Sequence, residues 1–290
     1  YNKSCWIQHS FRIRHPGIPL DRNHVSVSAI CEIFSACGGS HSQKVELESE
    51  RGNPVFTPAI DADHRMAVAN GLGRLSPQVR ELKYNYESSE WVEDLRDDPP
   101  KITLSPDCIC SALYRISMQL RHLEIQEMHI SPELFWPLDS QDTTQAFWPH
   151  LEVLDLSFAA FTPTVDFLEY GYDVHEVRHC DAKFLISYLD KVYESAGRAA
   201  QHMPCIKNFT LVFYPQTYCL HFNIRNGKRV LEIATDNEYG DLQQPYRPSS
   251  RVLDAWNVSQ GKMHFDGEIG RTEVEYEDWP PVGLFNSIAQ

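Results

Sequence analysis

The sequence predicts an α/β fold: a curved, mostly parallel sheet with helices on its outer face, followed by a C-terminal β-hairpin. Three observations carry that expectation. A Leu-x-x-Leu-x-Leu pattern recurs along the chain, stretches of helical periodicity fall between several of the copies, and Asn226-Gly227 sits between two alternating apolar runs. In an extended strand, residues two apart face the same side, so the last two apolar positions of each copy point into a core and their neighbours point to solvent.

The pattern is clearest at Leu151-Glu152-Val153-Leu154-Asp155-Leu156-Ser157-Phe158, the strand grammar of a leucine-rich repeat. Equivalent first positions are Val79, Leu120, Leu151 and Ile206, giving intervals of 41, 31 and 55 residues. Leucine-rich repeats have periods of roughly 20–29 residues and end on Asn or Cys. The expected fold is therefore an irregular leucine-rich-repeat-like solenoid, with residues 1–265 as a single domain and residues 266–290 as an acidic, aromatic tail.

Taken in order, Phe11 to Leu20 reads as a strand and turn, and Val25, Ala29, Ile30, Ile33, Phe34 and Cys37 as a helix stopped by Gly38-Gly39. Lys44 to Glu50 alternates apolar and acidic, so it is a strand. Thr57-Pro58 opens a helix that Asp61 and Asp63 support at its positive end and that Gly71 and Gly73 terminate. The second strand runs from Val79 to Tyr84. Asp107 starts a helix through Ile109, Leu113 and Ile116 into the third strand, Leu120 to Ile125. After the Leu151 copy, residues 161–180 form an insertion on one rim. Asp181 then opens the clearest helix, in which Phe184, Leu185, Tyr188, Leu189, Val192, Ala196, Ala199 and Met203 recur at three- and four-residue spacing before Pro204. The fifth strand follows at Ile206 to Leu211. Tyr218 to Ile224 and Arg229 to Ile233 flank Asn226-Gly227 as a hairpin. Val252, Leu253 and Trp256 mark a last helix.

Composition removes some functions. The formal charge is 26 − 40 = −14 and the pI is near 5.3, so phosphate backbones and anionic membrane surfaces are repelled on average. Neither nucleic acid nor a membrane is an expected partner. Tyr1 to Trp6 lack the apolar core of a signal peptide, so a cytoplasmic or nuclear location is expected, and the missing initiator Met predicts further sequence upstream. The eight cysteines are scattered and read mostly as buried thiols. The Asn-x-Ser/Thr sequons at Asn2, Asn208 and Asn257 carry little weight, since Asn208 falls inside a repeat strand.

Chemical motifs are sparse. His175-x-x-x-His179-Cys180 has the beginning of a zinc spacing without a third ligand, and Gly171 nearby favours a loop. Cys108-x-Cys110 lies on an expected helix and lacks the knuckle spacing. Asp61-Ala62-Asp63-His64 could hold a metal–nucleotide, but acids in a first helical turn explain it as well. Gly71-Leu72-Gly73 follows a helix where a dinucleotide motif follows a strand, and no Gly-x-Ser-x-Gly or phosphate loop occurs. No catalytic, cofactor-binding or metal-binding residue is expected.

One constellation remains, the outward side of the repeat strands. With the strands side by side, Lys83, His122, Glu124, Gln126, Asp155, Ser157, Asn208 and Thr210 line one face, beside Glu81, Asn85, Val153 and Val212. Solenoids bind proteins on such a concave face, although the free side of any half-buried sheet is polar. The expected function is a non-enzymatic protein–protein interaction module. An enzyme, such as a hydrolase with a loop-borne site in residues 161–180, and a purely structural domain are the alternatives.

Several short motifs occur together: Phe147-Trp148-Pro149-His150-Leu151-Glu152-Val153-Leu154-Asp155-Leu156, then Thr162-Pro163, Ala196-Gly197-Arg198-Ala199-Ala200, Met203-Pro204 and Val252-Leu253-Asp254-Ala255-Trp256. Their order resembles fungal proteins described as F-box or F-box-like, over about residues 10–265. The resemblance implies a leucine-rich-repeat-like carrier of mostly unknown function, in some members the substrate-recognition part of a ubiquitin-ligase receptor. An F-box opens on a Leu-Pro-x-Glu-Ile/Leu-like helix, which residues 1–54 lack. A ubiquitin-ligase adaptor would therefore dock only through an upstream segment.

Overall fold

A computed structural model describes residues 43–49, 58–86, 107–128, 130–136, 148–158, 182–213, 218–235, 246–267 and 270–279. The expectations for residues 11–37, and for the His175, His179 and Cys180 group, fall outside them. The chain forms a mixed α/β architecture on one nine-stranded sheet, in the order β1-β2-β3-β4-β5-β6-β7-β9-β8. Strands β1 (Lys44–Ser49), β2 (Glu81–Tyr86), β3 (His122–Met128), β4 (Val153–Phe158) and β5 (Asn208–Phe213) are parallel neighbours in sequence order. Strands β6 (Tyr218–Arg225), β7 (Lys228–Thr235), β8 (Lys262–Asp266) and β9 (Arg271–Tyr276) continue the sheet antiparallel.

Two expectations change here. The sheet is divided evenly between parallel and antiparallel pairings, because the Asn226-Gly227 hairpin joins the edge of β5 and extends the same sheet. The stretch from residue 266, expected as a tail, supplies β9 between β7 and β8. Thr272, Val274 and Tyr276 alternate with charged neighbours, so β9 has a face to bury once a strand lies on either side of it.

Register explains the core. Val45, Leu82, Leu123, Leu154, Phe209, Phe222, Leu231 and Val274 form one continuous cross-strand row, and Leu47, Tyr84, Ile125, Leu156, Leu211, Leu220 and Ile233 form a second. All are buried in a single apolar cluster. The first apolar position of each repeat copy, Val79, Leu120, Leu151 and Ile206, is also sealed from solvent but sits two residues ahead of its strand.

The helices cover this same face. They are α1 (Pro58–Leu72), α2 (Cys108–Ser117), α3 (Ala182–Ala200) and α4 (Ser250–Ala255). Asp107 caps α2, with Oδ2 accepting from the Cys110 amide at 2.8 Å. On α2, Ile109, Leu113 and Ile116 turn inward at helical spacing. Tyr188, Leu189, Val192, Tyr193, Ala196, Ala199 and Ala200 do the same on α3. Between β3 and β4 the described residues hold only a 3-10 turn at Pro132–Leu134. There Tyr188 donates its hydroxyl to the Ile130 carbonyl, and Trp148 Nε1 donates to Ser117 Oγ at 2.7 Å. No helix among the described residues is long and apolar enough to cross a membrane.

The hairpin turn carries a prediction. Asn226 and Gly227 both have positive φ, 52° and 80°, the pair that a two-residue turn needs to match strand twist. A Cβ at Gly227 would meet nothing within 4 Å. Gly227→Ala is therefore expected to cost about 1–2 kcal/mol through the left-handed backbone alone, read as a lower thermal midpoint.

Candidate functional site

The face of the sheet opposite the helices is polar and organised in rows. Glu46, Lys83, Glu124, Asp155, Thr210, His221, Glu232, Glu273 and His264 are successive partners across the nine strands. A second row sets Glu81, His122, Val153, Asn208, Asn223, Val230, Glu275 and Lys262 alongside it. All eight residues selected from the sequence lie on this face. Lys83, Glu124, Asp155 and Thr210 are direct neighbours, His122 and Asn208 flank Val153, and Ser157 pairs with Val212. Gln126 sits within the register shift between Ile125 and Met128 and is held from its own strand by Glu124.

Glu124 is the hub. Its carboxylate takes an ion pair from Lys83 on β2, a hydrogen bond from Gln126 Nε2 at 2.8 Å, and lies 3.9 Å from His122 Nε2. Only 19% of the Glu124 side chain is exposed, against 42% for Lys83. Its geometry is thus set by neighbours on two strands. Thr210 donates to Asn208 Oδ1 at 3.4 Å.

Asp155 is placed differently. It stands beside Glu124 in register, and among the described residues no cation lies within ion-pair distance of it. Partial burial, and then the Glu124 charge, push its carboxyl above the usual carboxylate range. Two residues along the row, burial pushes the His221 imidazole down. Folding therefore favours the protonated form of Asp155 relative to the unfolded chain. Stability from this source is full below the unfolded value near 3.8 and is lost as pH rises through the folded value. Asp155→Asn is expected to be more stable than the parent at pH 7 and equal to it below that lower value. Thermal melts at the two pH values check it, and a less stable variant at pH 7 would show that the carboxylate is stabilising.

His221, Glu232 and Glu273 extend the row onto strands that the repeat pattern does not include. The alternation around Asn226-Gly227 is the sequence signal for His221 and Glu232, and Glu273 on β9 has none there. On this half the charges neutralise one another: Arg225 Nη2 meets Glu232 at 2.6 Å, and Arg271 Nη2 meets Glu232 and Glu273 at 3.0 Å each. On the parallel half, Asp155 lies outside any such ion-pair network among the described residues.

The other sequence candidates within the described residues lie on helices or at their ends. Cys110 is a fully buried thiol pushed well up by burial, and Cys108 is half-buried on the same turn. Asp61, Ala62, Asp63 and His64 lie in α1. Gly71 and Leu72 end α1, and the Gly73 amide donates to the Ala69 carbonyl. Among the described residues no group of three or more His, Cys, Asp or Glu is placed to hold a metal ion. A cavity of about 10 Å³ between Ser117, Leu134, Phe135, Trp148, Leu154 and Met203 is an apolar packing gap. Comparison with protein-family models, with curated proteins and with solved structures finds no match to this chain.

Proposed function

We propose that this chain is a non-enzymatic protein-interaction module that binds a protein partner on the open face of its sheet. Supporting this reading above all, the Glu124-centred network joins Lys83, His122 and Gln126 with Asp155 alongside, holding charged groups in fixed positions on a rigid element. Preorganised polar groups lose less entropy on binding than mobile ones. The five consecutive parallel strands, with their apolar positions in register, also favour reading the N-terminal half as a degenerate leucine-rich-repeat-like solenoid.

In the fuller form of this proposal the module is the substrate-recognition part of an F-box-type ubiquitin-ligase receptor in the cytoplasm or nucleus. An upstream segment would contact the ligase adaptor. The test is affinity purification of the full-length protein from native extract beside the quadruple variant Lys83→Ala, Glu124→Ala, Asp155→Ala and Thr210→Ala. A client captured by the parent and lost by a folded variant is the expected result, with ligase subunits retained by both. Identical sets of captured proteins would sink the assignment of this face.

A further inference from the structure

The sheet ends at β8, the terminal strand among the described residues, paired there with β9 alone. Lys262, Met263 and His264 are all exposed, Met263 at 54%, so an apolar side chain and a strand edge stand open together. An open edge offers its backbone N–H and C=O groups to another strand. Lys262-Met263-His264-Phe265-Asp266 is also its own complement. Laid antiparallel on a second copy about His264, it sets Lys262 opposite Asp266, Met263 opposite Phe265 and His264 opposite His264. We propose that β8 pairs in this register with β8 of a second copy of the chain, giving a two-fold dimer whose sheet runs across the interface.

The two faces of the edge agree with that occupant. On the open face Lys262 and Asp266 cancel, so the edge is locally neutral in a chain of formal charge −14 that otherwise repels its own copies. Lys262 reaches Glu277 at 3.4 Å, but both are about three-quarters exposed and the contact is readily exchanged. Asp266 stands opposite Arg271, and a carboxylate can accept from a second cation. On the helix-side face Met263 would lie against Phe265 of the second copy, a thioether–ring contact, while the Arg247 guanidinium sits 4.8 Å from the centre of that chain's own Phe265 ring. The other terminal strand is less suited. Pairing β1 with itself about Glu46 puts Glu46 opposite Glu46.

A single strand pair is a small interface, so the dimer is weak and reversible. Sedimentation equilibrium over a concentration series should show monomer and dimer for the parent. Lys262→Asp sets Asp opposite Asp266, and Asp266→Lys sets Lys opposite Lys262, twice each by symmetry, so either variant should dimerise about tenfold more weakly or less. Mixing the two variants restores opposite charges at every pair and should restore the dimer. Amide exchange at 262–266 in the parent should slow as concentration rises, a readout that needs no variant. A parent that stays monomeric at every concentration, or a dimer indifferent to both charge changes, would overturn the proposal.

Discussion

Asp107→Ala is expected to destabilise the protein by about 3–5 kcal/mol, because it leaves a buried guanidinium without its counter-charge. Asp107 and Arg65 are 2% and 1% exposed, and Arg65 Nη2 lies 2.7 Å from Asp107 Oδ1, with Nε donating to the same oxygen at 3.0 Å. The other oxygen caps α2, so the alanine also removes a capping bond, which by itself is worth about 1 kcal/mol. Asp107→Asn keeps one acceptor oxygen for the cap, but it loses the charge and turns an amide N–H toward the guanidinium; it should fall between the two. The double variant Arg65→Met, Asp107→Asn should recover much of the loss, since replacing both buried charges spares their desolvation. Urea unfolding of the parent, Arg65→Met, Asp107→Asn and the double variant gives the coupling directly. Additive losses would mean that the pair is not energetically linked. Sealed from solvent, the pair should also be nearly insensitive to salt, unlike the exposed Lys207–Glu152 contact.

Gly197→Ala is expected to destabilise by about 1–3 kcal/mol, although alanine is the better helix former. Gly197 lies within α3, against the C-terminal end of α4. A Cβ there would sit 2.6 Å from Trp256 Cδ1, 2.8 Å from its Nε1 and 2.9 Å from the Ala255 carbonyl carbon. The indole cannot swing aside. It is fully buried, its Nε1 donates to the Tyr193 carbonyl at 3.0 Å, and its ring packs on Phe209 and Phe222. Gly73→Ala is the control, because its Cβ would meet only ordinary contacts at 3.6 Å. Thermal melts should show a drop for Gly197→Ala and none for Gly73→Ala. A Gly197→Ala protein as stable as its parent would mean that α4 is free to move away from α3.

The elements that were legible in the sequence are those whose two faces differ in polarity. β4 shows Leu154 and Leu156 against Asp155, and α2 shows Ile109, Leu113 and Ile116 after a capping aspartate, so period and cap announce each one locally. β8 and β9 were not legible. Arg271 to Tyr276 is as acidic as a solvated tail, and its buried positions are Thr272, Val274 and Tyr276, a signal that becomes meaningful only between two neighbouring strands. The candidate face was half legible for the same reason. Lys83, Glu124, Asp155 and Thr210 follow from the repeat, whereas His221 and Glu232 depend on the hairpin register and Glu273 on the pairing of β9 with β7, which no repeat specifies.

By itself the sequence determined where β1 to β7 and the four helices run and which side of each of those strands is buried, because those follow from alternation and from residues near in the chain. Tertiary structure alone decided what meets across long separations. Arg65 is brought to Asp107 across 42 residues. Gly197 is brought to Trp256, and β9 is threaded between β7 and β8. Those choices are settled by burial and charge pairing summed over the whole sheet, and such sums have no local signature.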